Sequence, residues 1–280
     1  MKNVNLNLKS TATKMATLLL VAMITLNFSA CKKNDKGGEV TPQNYEAGNI
    51  PGLGKTEGDL TGTPFTLPNG VKLSGDITGS GYQDNYWDWS SIDQAPQYQF
   101  VNKNGEVEMR THTMLRSAND SPVIHYYGSG YGFVDLLITL SNTSSSSITV
   151  TFPAGTILIS ASGECQNGIL LQTVIITIPA NSDYVICLGL YCGNLTKHAA
   201  SNEDVYKFGV ISDAQPLIDL CNLLKNKKID ISSFSPASND DYNAYCDIVG
   251  ELQNFVWMIT DIGMALSDDN ISYINSLPNK

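Results

Sequence analysis

From Phe65 to Cys192 the apolar positions come in short runs separated by turn residues. The glycine-rich stretch Gly128–Gly132 precedes Phe133–Leu140, an apolar run of strand length that ends in the polar segment Ser141–Ser147. Ile148–Phe152 alternates apolar and polar until Pro153-Ala154-Gly155 breaks it. Thr156–Ser160 continues, Gly163–Gly168 turns, and Ile169–Ile178 follows as a strand or strand pair. Pro179–Ser182 turns again before Tyr184–Tyr191. Closely spaced β-branched runs of this kind predict a mainly β chain, here an antiparallel β-sandwich. No helix-length pattern separates the runs, which argues against a βαβ fold.

After Cys192 the period changes. Leu217, Leu220, Cys221 and Leu224 fall at i, i+3, i+4 and i+7, one face of a helix, and Pro216 sits where a first helical turn accepts it. Tyr242, Tyr245, Val249, Leu252, Val256 and Ile259 predict a second amphipathic helix, with Asn239-Asp240-Asp241 at its start. Ser267-Asp268-Asp269 reads as the start of a third, ended by Leu277-Pro278. The predicted organisation is a β-sandwich over 61–195 and a small α-helical subdomain over 196–280, without internal repeats.

The amino-terminal part reads as an address. Lys2, Lys9 and Lys14 precede the apolar run Met15–Phe28, which is shorter than the roughly 20 residues a membrane span needs. Phe28-Ser29-Ala30-Cys31 then resembles the lipobox of bacterial lipoproteins, with Phe28 where that family usually has Leu. The resemblance implies that residues 1–30 are a cleaved signal peptide. It also implies that Cys31 carries a diacylglyceryl thioether and usually an acylated amine. Two or three acyl chains would hold the protein on a membrane, since a single myristoyl chain already gives marginal binding. The Cys-Lys-Lys opening is similar to that of Bacteroidota lipoproteins. Lys32 in place of Asp points to the outer membrane, with the body facing the periplasm or the cell surface. Residues 31–60 are rich in Gly, Asn, Lys, Thr and Glu, which predicts a flexible tether.

The whole chain has a formal net charge of −10. Removing residues 1–30 takes away three lysines and no acid, which lowers the net charge to −13. An acidic body disfavours nucleic acid, whose binding relies on phosphate neutralisation. Besides Cys31 there are Cys165, Cys187, Cys192, Cys221 and Cys246, an odd number in a compartment that permits disulfides. Cys187 with Cys192 could bridge a turn. Cys221 with Cys246 could either staple two helices or remain buried thiols.

Recognisable catalytic patterns are absent. His112, His125 and His198 lack metal-ligand spacing, so no metal site is expected. There is no P-loop, nucleophile elbow or dinucleotide-binding glycine pattern, and no cofactor is expected. Tyr82–Phe100 packs six aromatics into nineteen residues among Asp, Asn and Gln. Tyr86, Trp87 and Trp89 could stack on sugar rings, or the tryptophans could plug one end of the sandwich.

Two further segments carry a sharper pattern: Leu190-Tyr191-Cys192-Gly193-Asn194 and Leu252-Gln253-Asn254-Phe255-Val256-Trp257. They resemble the two motifs of the thioester domains of bacterial surface adhesins, an aromatic-Cys segment and an apolar-Gln-x-x-apolar-Trp segment. The resemblance implies an internal thioester with Cys192 as thiol and Gln253 as acyl donor, held dry until a surface nucleophile attacks. Gly193 stands where the family favours an apolar residue. The alternative is that Gln253 is simply hydrogen-bonded at a helix–sheet junction. The expected function is a membrane-anchored, non-enzymatic binding or adhesion role toward a glycan or protein surface ligand. The alternatives are a covalent thioester adhesin, or a glycan-binding accessory using the Tyr82–Phe100 aromatics.

Overall fold

Tyr184–Tyr191 is unbroken in its apolarity because both faces of its strand are covered. A computed structural model describes residues 42–80, 97–101, 107–111, 124–130, 132–234 and 239–280. Thirteen strands run through the described residues: β1 (Gly62–Pro64), β2 (Val71–Leu73), β3 (Ile77–Gly79), β4 (Gln97–Val101), β5 (Val107–Thr111), β6 (Ile124–Gly128), β7 (Val134–Asn142), β8 (Ile148–Phe152), β9 (Thr156–Ser160), β10 (Gly168–Ile169), β11 (Val174–Ile178), β12 (Ser182–Cys192) and β13 (Val205–Ser212). Helices α1 (Gln215–Leu224), α2 (Asn239–Trp257) and α3 (Asp268–Ser276) follow, with a π-helical turn at Met258–Ile262 continuing α2.

Six of the strands close a ring in the order β7-β3-β13-β9-β10-β12, and β12 pairs back onto β7 from Ser182↔Asn142 to Leu190↔Val134. The fold is therefore mainly β and barrel-like, where the sequence predicts two facing sheets. The closure comes from the length of β7 and β12, which lets each pair along both edges. One pairing also departs from the antiparallel expectation: β6 runs parallel to β12, with Val185↔Ile124 to Gly189↔Gly128. β8 and β11 form a separate two-stranded sheet. Its alternate residues Val150, Phe152, Val174, Ile176 and Ile178 are buried with the barrel interior, while Ile175 and Thr177 face out.

The alternation along β12 explains the rest of the packing. Ile186, Leu188, Leu190 and Cys192 point into the inner cluster with Val134, Leu136, Ile138 and Leu140 of β7. Cys187 and Tyr191 point outward, into a second cluster built with Leu217, Leu220, Leu224, Tyr245, Val249, Leu252 and Val256 of the helices. The helices thus lie on the outside of the barrel, and β12 is apolar on both faces, as is usual for a doubly covered strand.

Two boundaries move as a result. β13 belongs to the ring, so the region 196–280 contributes a barrel strand as well as helices, and Glu39–Lys280 forms one compact unit. The segment from Gln43 is also part of the folded unit. Gln43 bridges to Ala214, and Ile50 and Leu53 are buried in the outer cluster. The tether predicted over 31–60 therefore ends before Gln43. Finally, Cys165, Cys187, Cys192 and Cys221 are buried free thiols. Cys187 and Cys192 sit five residues apart on one extended strand, roughly 16 Å at the usual rise. A disulfide tolerates Cα separations only up to about 7 Å, so no bridge forms there. Cys221 lies in the outer cluster as a thiol rather than as half of a staple to Cys246.

The helix starts follow their sequence signals. Ser267 caps α3 by accepting from the Asn270 N–H, and Asn270 Oδ1 accepts from the Ser267 N–H in return. Pro216 lies in the first turn of α1. Among the described residues no helix is long and apolar enough to cross a membrane.

Candidate functional site

The two motif segments, 61 residues apart in sequence, meet at the end of β12. Gln253 is completely buried in α2, and its carboxamide lies along the backbone of Cys192. The Cys192 N–H donates to Gln253 Oε1 at 2.7 Å, and Gln253 Nε2 donates to the Cys192 carbonyl at 2.9 Å. The reason lies in the register. Leu190 pairs with Val134, the first residue of β7, so two residues further on Cys192 faces an edge that β7 has not reached. A buried backbone N–H and C=O left there would each cost about 1–3 kcal/mol. The primary amide of Gln253 carries one donor group and one acceptor in a plane, and it takes the place of the missing strand.

The rest of the site is laid out along one side of the same helix. Trp257, four residues after Gln253, packs against the inner cluster and meets Phe133 edge to face at 6.0 Å and 86°. Burial pushes the Cys192 thiol up to about 11. The neighbouring indole N–H of Trp257 acts in the opposite direction, although it makes no well-formed hydrogen bond. Four residues further, Asp261 sits in the π turn. Its Oδ1 accepts from the Leu195 N–H at 3.0 Å and its Oδ2 from Thr260 Oγ1 at 2.7 Å. Four-residue steps drift around an α-helix of 3.6 residues per turn, and the wider π turn reduces that drift. Gln253, Trp257 and Asp261 therefore all approach the Cys192–Leu195 segment.

The segment before β1 covers this end of the helix. The π turn closes with the Gly263 N–H on the Met258 carbonyl, which leaves the Ile259 carbonyl to accept from the Gly48 N–H at 2.7 Å. Gly54 donates from its N–H to the Gly193 carbonyl at 2.8 Å, and Asn194 Nδ2 donates to the Gly54 carbonyl at 3.1 Å. A Cβ on Gly193 would come within 3.0 Å of both Leu53 Cδ2 and Ile169 Cδ1. Leu53 and Ile169 thus occupy the space that a side chain at position 193 would need.

The turn that carries Phe133 is held by a buried acid. The Gly132 N–H donates to both oxygens of Asp135, at 3.1 and 2.9 Å. Burial nevertheless raises Asp135 to about 7. In the unfolded chain an aspartate releases its proton near 4, so between about pH 4 and 7 the folded state holds a proton that the unfolded state does not. Stability is expected to be full below that window and to fall by about 4 kcal/mol as the pH rises through it. Asp135→Asn, followed by denaturant unfolding at pH 5 and pH 8, is expected to remove most of that difference and to raise stability at pH 8.

The other sequence candidates fall elsewhere. Tyr86, Trp87 and Trp89 lie outside the described residues, as do Cys31 and His112. His125 stacks on Tyr184 at 4.2 Å, and His198 is exposed. Among the described residues no group of three His, Cys, Asp or Glu could hold a metal ion. Asp261 and the 48–56 segment escaped the sequence reading. The four-residue repeat Gln253, Trp257, Asp261 was the available signal for the first, and the glycines at 48, 52 and 54 for the second. Comparison with known proteins gave no match: no family model, curated protein or solved structure is significantly similar to this chain.

Proposed function

We propose that this chain is a lipid-anchored, extracytoplasmic binding protein whose body captures its partner covalently through a thioester between Cys192 and Gln253. One observation carries the reading: the fully buried Gln253 carboxamide is hydrogen-bonded to the backbone N–H and C=O of Cys192, the residue that bears the thiol. The thiol sulfur attacks the Gln253 Cδ carbon, the S–C bond forms, and the C–N bond breaks. The thiol proton leaves on the departing nitrogen as ammonia, and nothing is oxidised or reduced. The Cys192 N–H, already bonded to Oε1, stabilises charge developing on that oxygen. Proximity in a dry site favours the step. The resulting acyl group is an electrophile for a nucleophile on a protein or glycan surface, so the role is adhesive rather than that of a turnover enzyme. Once the leader 1–30 is cleaved, the acyl chains on Cys31 would keep the body at the outer membrane, which suits a binder that must hold its partner in place.

The competing reading is a purely structural latch, in which Gln253 does no more than complete the β12 edge. Intact mass of the body expressed without its leader separates the two. The expected result is a mass lower by one ammonia, gain of one methylamine on incubation, and neither change in Cys192→Ala. An unmodified mass that ignores methylamine removes the thioester and leaves the latch. For the anchor, radiolabelled palmitate is expected to enter the full-length chain and not Cys31→Ala.

A further inference from the structure

We propose that the exposed apolar loop Ile262–Leu266 is a membrane-docking tip that seats the body on the bilayer holding its own anchor. The proposal rests on the lipid-anchor reading and is independent of the thioester. Ile262-Gly263-Met264-Ala265-Leu266 is a run of five residues without a polar side chain, between the π turn and α3. Ile262 is 57 % exposed and Met264 54 %. Leu195, 43 % exposed, is brought alongside by its N–H, which donates to Asp261 Oδ1 at 3.0 Å. Among the described residues five large apolar side chains are exposed, and these three share one end of α2. The other two, Ile175 and Val205, lie on separate strands. A clustered apolar surface of this kind marks a contact site, whereas scattered single residues need no explanation.

The exposure is built into the loop. The N–H groups of Gly263 and Met264 both donate to the Met258 carbonyl, at 3.1 and 2.9 Å. Gly263 has a φ of +81°, the left-handed turn that ends the helix. At the other end Leu266 packs on the outer cluster and Ser267 caps α3. The loop is thus pinned on both sides, with Met264 held out between them.

The course of the chain names the occupant. Cys31 lies eleven residues before Pro42, where the described residues begin. Eleven residues reach at most about 40 Å when fully extended. Six residues beyond Pro42, Gly48 lies against the loop. Its N–H donates to the Ile259 carbonyl at 2.7 Å, and a Cβ built on it would fall 2.6 Å from the Gly263 Cα. The chain that leaves the anchor therefore leads directly to the apolar tip. A tether this short holds the tip near the bilayer at an effective concentration of about millimolar, so a weak affinity suffices. The nearby charges favour no lipid class: Lys55 acts on Asp261, and Asp268 and Asp269 follow the loop. The apolar side chains carry the contact, with Ile262 and Met264 set into the boundary between headgroups and acyl chains.

The test uses the full-length chain, lipidated in a Gram-negative host and reconstituted into phosphatidylcholine vesicles. The vesicles contain a phospholipid with a photoactivatable diazirine in its acyl chain, and labelled peptides are mapped by mass. Radiolabelled palmitate is counted in parallel preparations. The expected result is label on the peptide that contains 262–266, unchanged by high salt, with the Ile175 peptide at background. In the double variant Ile262→Ser with Met264→Ser, that label should fall roughly tenfold, the equivalent of one lost apolar contact, while palmitate is retained. Both side chains are exposed, so the variant keeps its core. Palmitate without label on this peptide, or equal label on the Ile175 peptide, overturns the inference and leaves the anchor standing. A leaderless body that sediments as a dimer, and as a monomer in the double variant, assigns the loop to a second copy and overturns it too. Absence of palmitate removes the anchor reading, and the inference with it.

Discussion

Gln253→Ala is expected to destabilise the folded unit by about 4 kcal/mol more than Cys192→Ala does, because it leaves the buried N–H and C=O of Cys192 without partners. The pairing of variants matters. Both abolish the proposed thioester, and both lose whatever stability a covalent link closing that loop provides. Only Gln253→Ala also removes the amide that completes the β12 edge at 2.7 and 2.9 Å. The difference between the two thus reads mainly the hydrogen bonds, with the unequal cavities left by the two truncations as the smaller part. For a unit of this size it corresponds to a gap of roughly 8–16 °C in melting temperature. Denaturant unfolding of the three proteins checks it. Equal stabilities for the two variants would mean that Cys192 finds other partners, and that Gln253 does not act as a substitute strand.

Parts of this site were legible in the sequence for a definite reason. Leu217, Leu220, Cys221 and Leu224 repeat at helical spacing because α1 has one wet face and one dry face, and all four are buried. The two short segments stood out by their residue types and local spacing, and the fold brings Gln253 onto the Cys192 backbone. Barrel closure could not be read that way. It depends on β12 pairing with β7, β6 and β10 at different points along its length, and no local pattern encodes which edge is shared. The face assignment of Cys187 and Cys192 was hidden by the continuous apolarity of Tyr184–Tyr191, which arises because the helices dry the outer face. Residues 43–60 misled for the opposite reason. Their glycines and polar side chains match a linker in composition, yet Gly48, Gly52 and Gly54 are there for backbone contact with the helix end or neighbouring loop.

That contact sets the other large effect, expected at Gly54. A Cβ built there would fall 1.9 Å from the Thr260 carbonyl oxygen and 3.0 Å from the Asp261 Cα, both backbone atoms that cannot rotate away. Its φ of +57° adds the penalty that L-residues meet in the left-handed region, about 1–2 kcal/mol. Gly54→Ala must therefore lift the 48–56 segment or displace the π turn. Overpacking of this kind adds about 1–3 kcal/mol, for a total near 4 kcal/mol. Gly163→Ala isolates the conformational part, since Gly163 has a φ of +79° with nothing within 4 Å of its added Cβ. It should cost only about 1–2 kcal/mol. The two variants are also expected to differ in chemistry. Opening the segment admits water to the proposed acyl bond, so Gly54→Ala should accumulate the free thiol with a carboxylic acid at position 253, while Gly163→Ala should keep the deficit of one ammonia relative to its own sequence mass. Melting curves and intact masses of both variants, taken together, decide it. A Gly54→Ala protein that melts alongside Gly163→Ala and hydrolyses no faster would show that the 48–56 segment neither braces the helix end nor excludes water from Cys192.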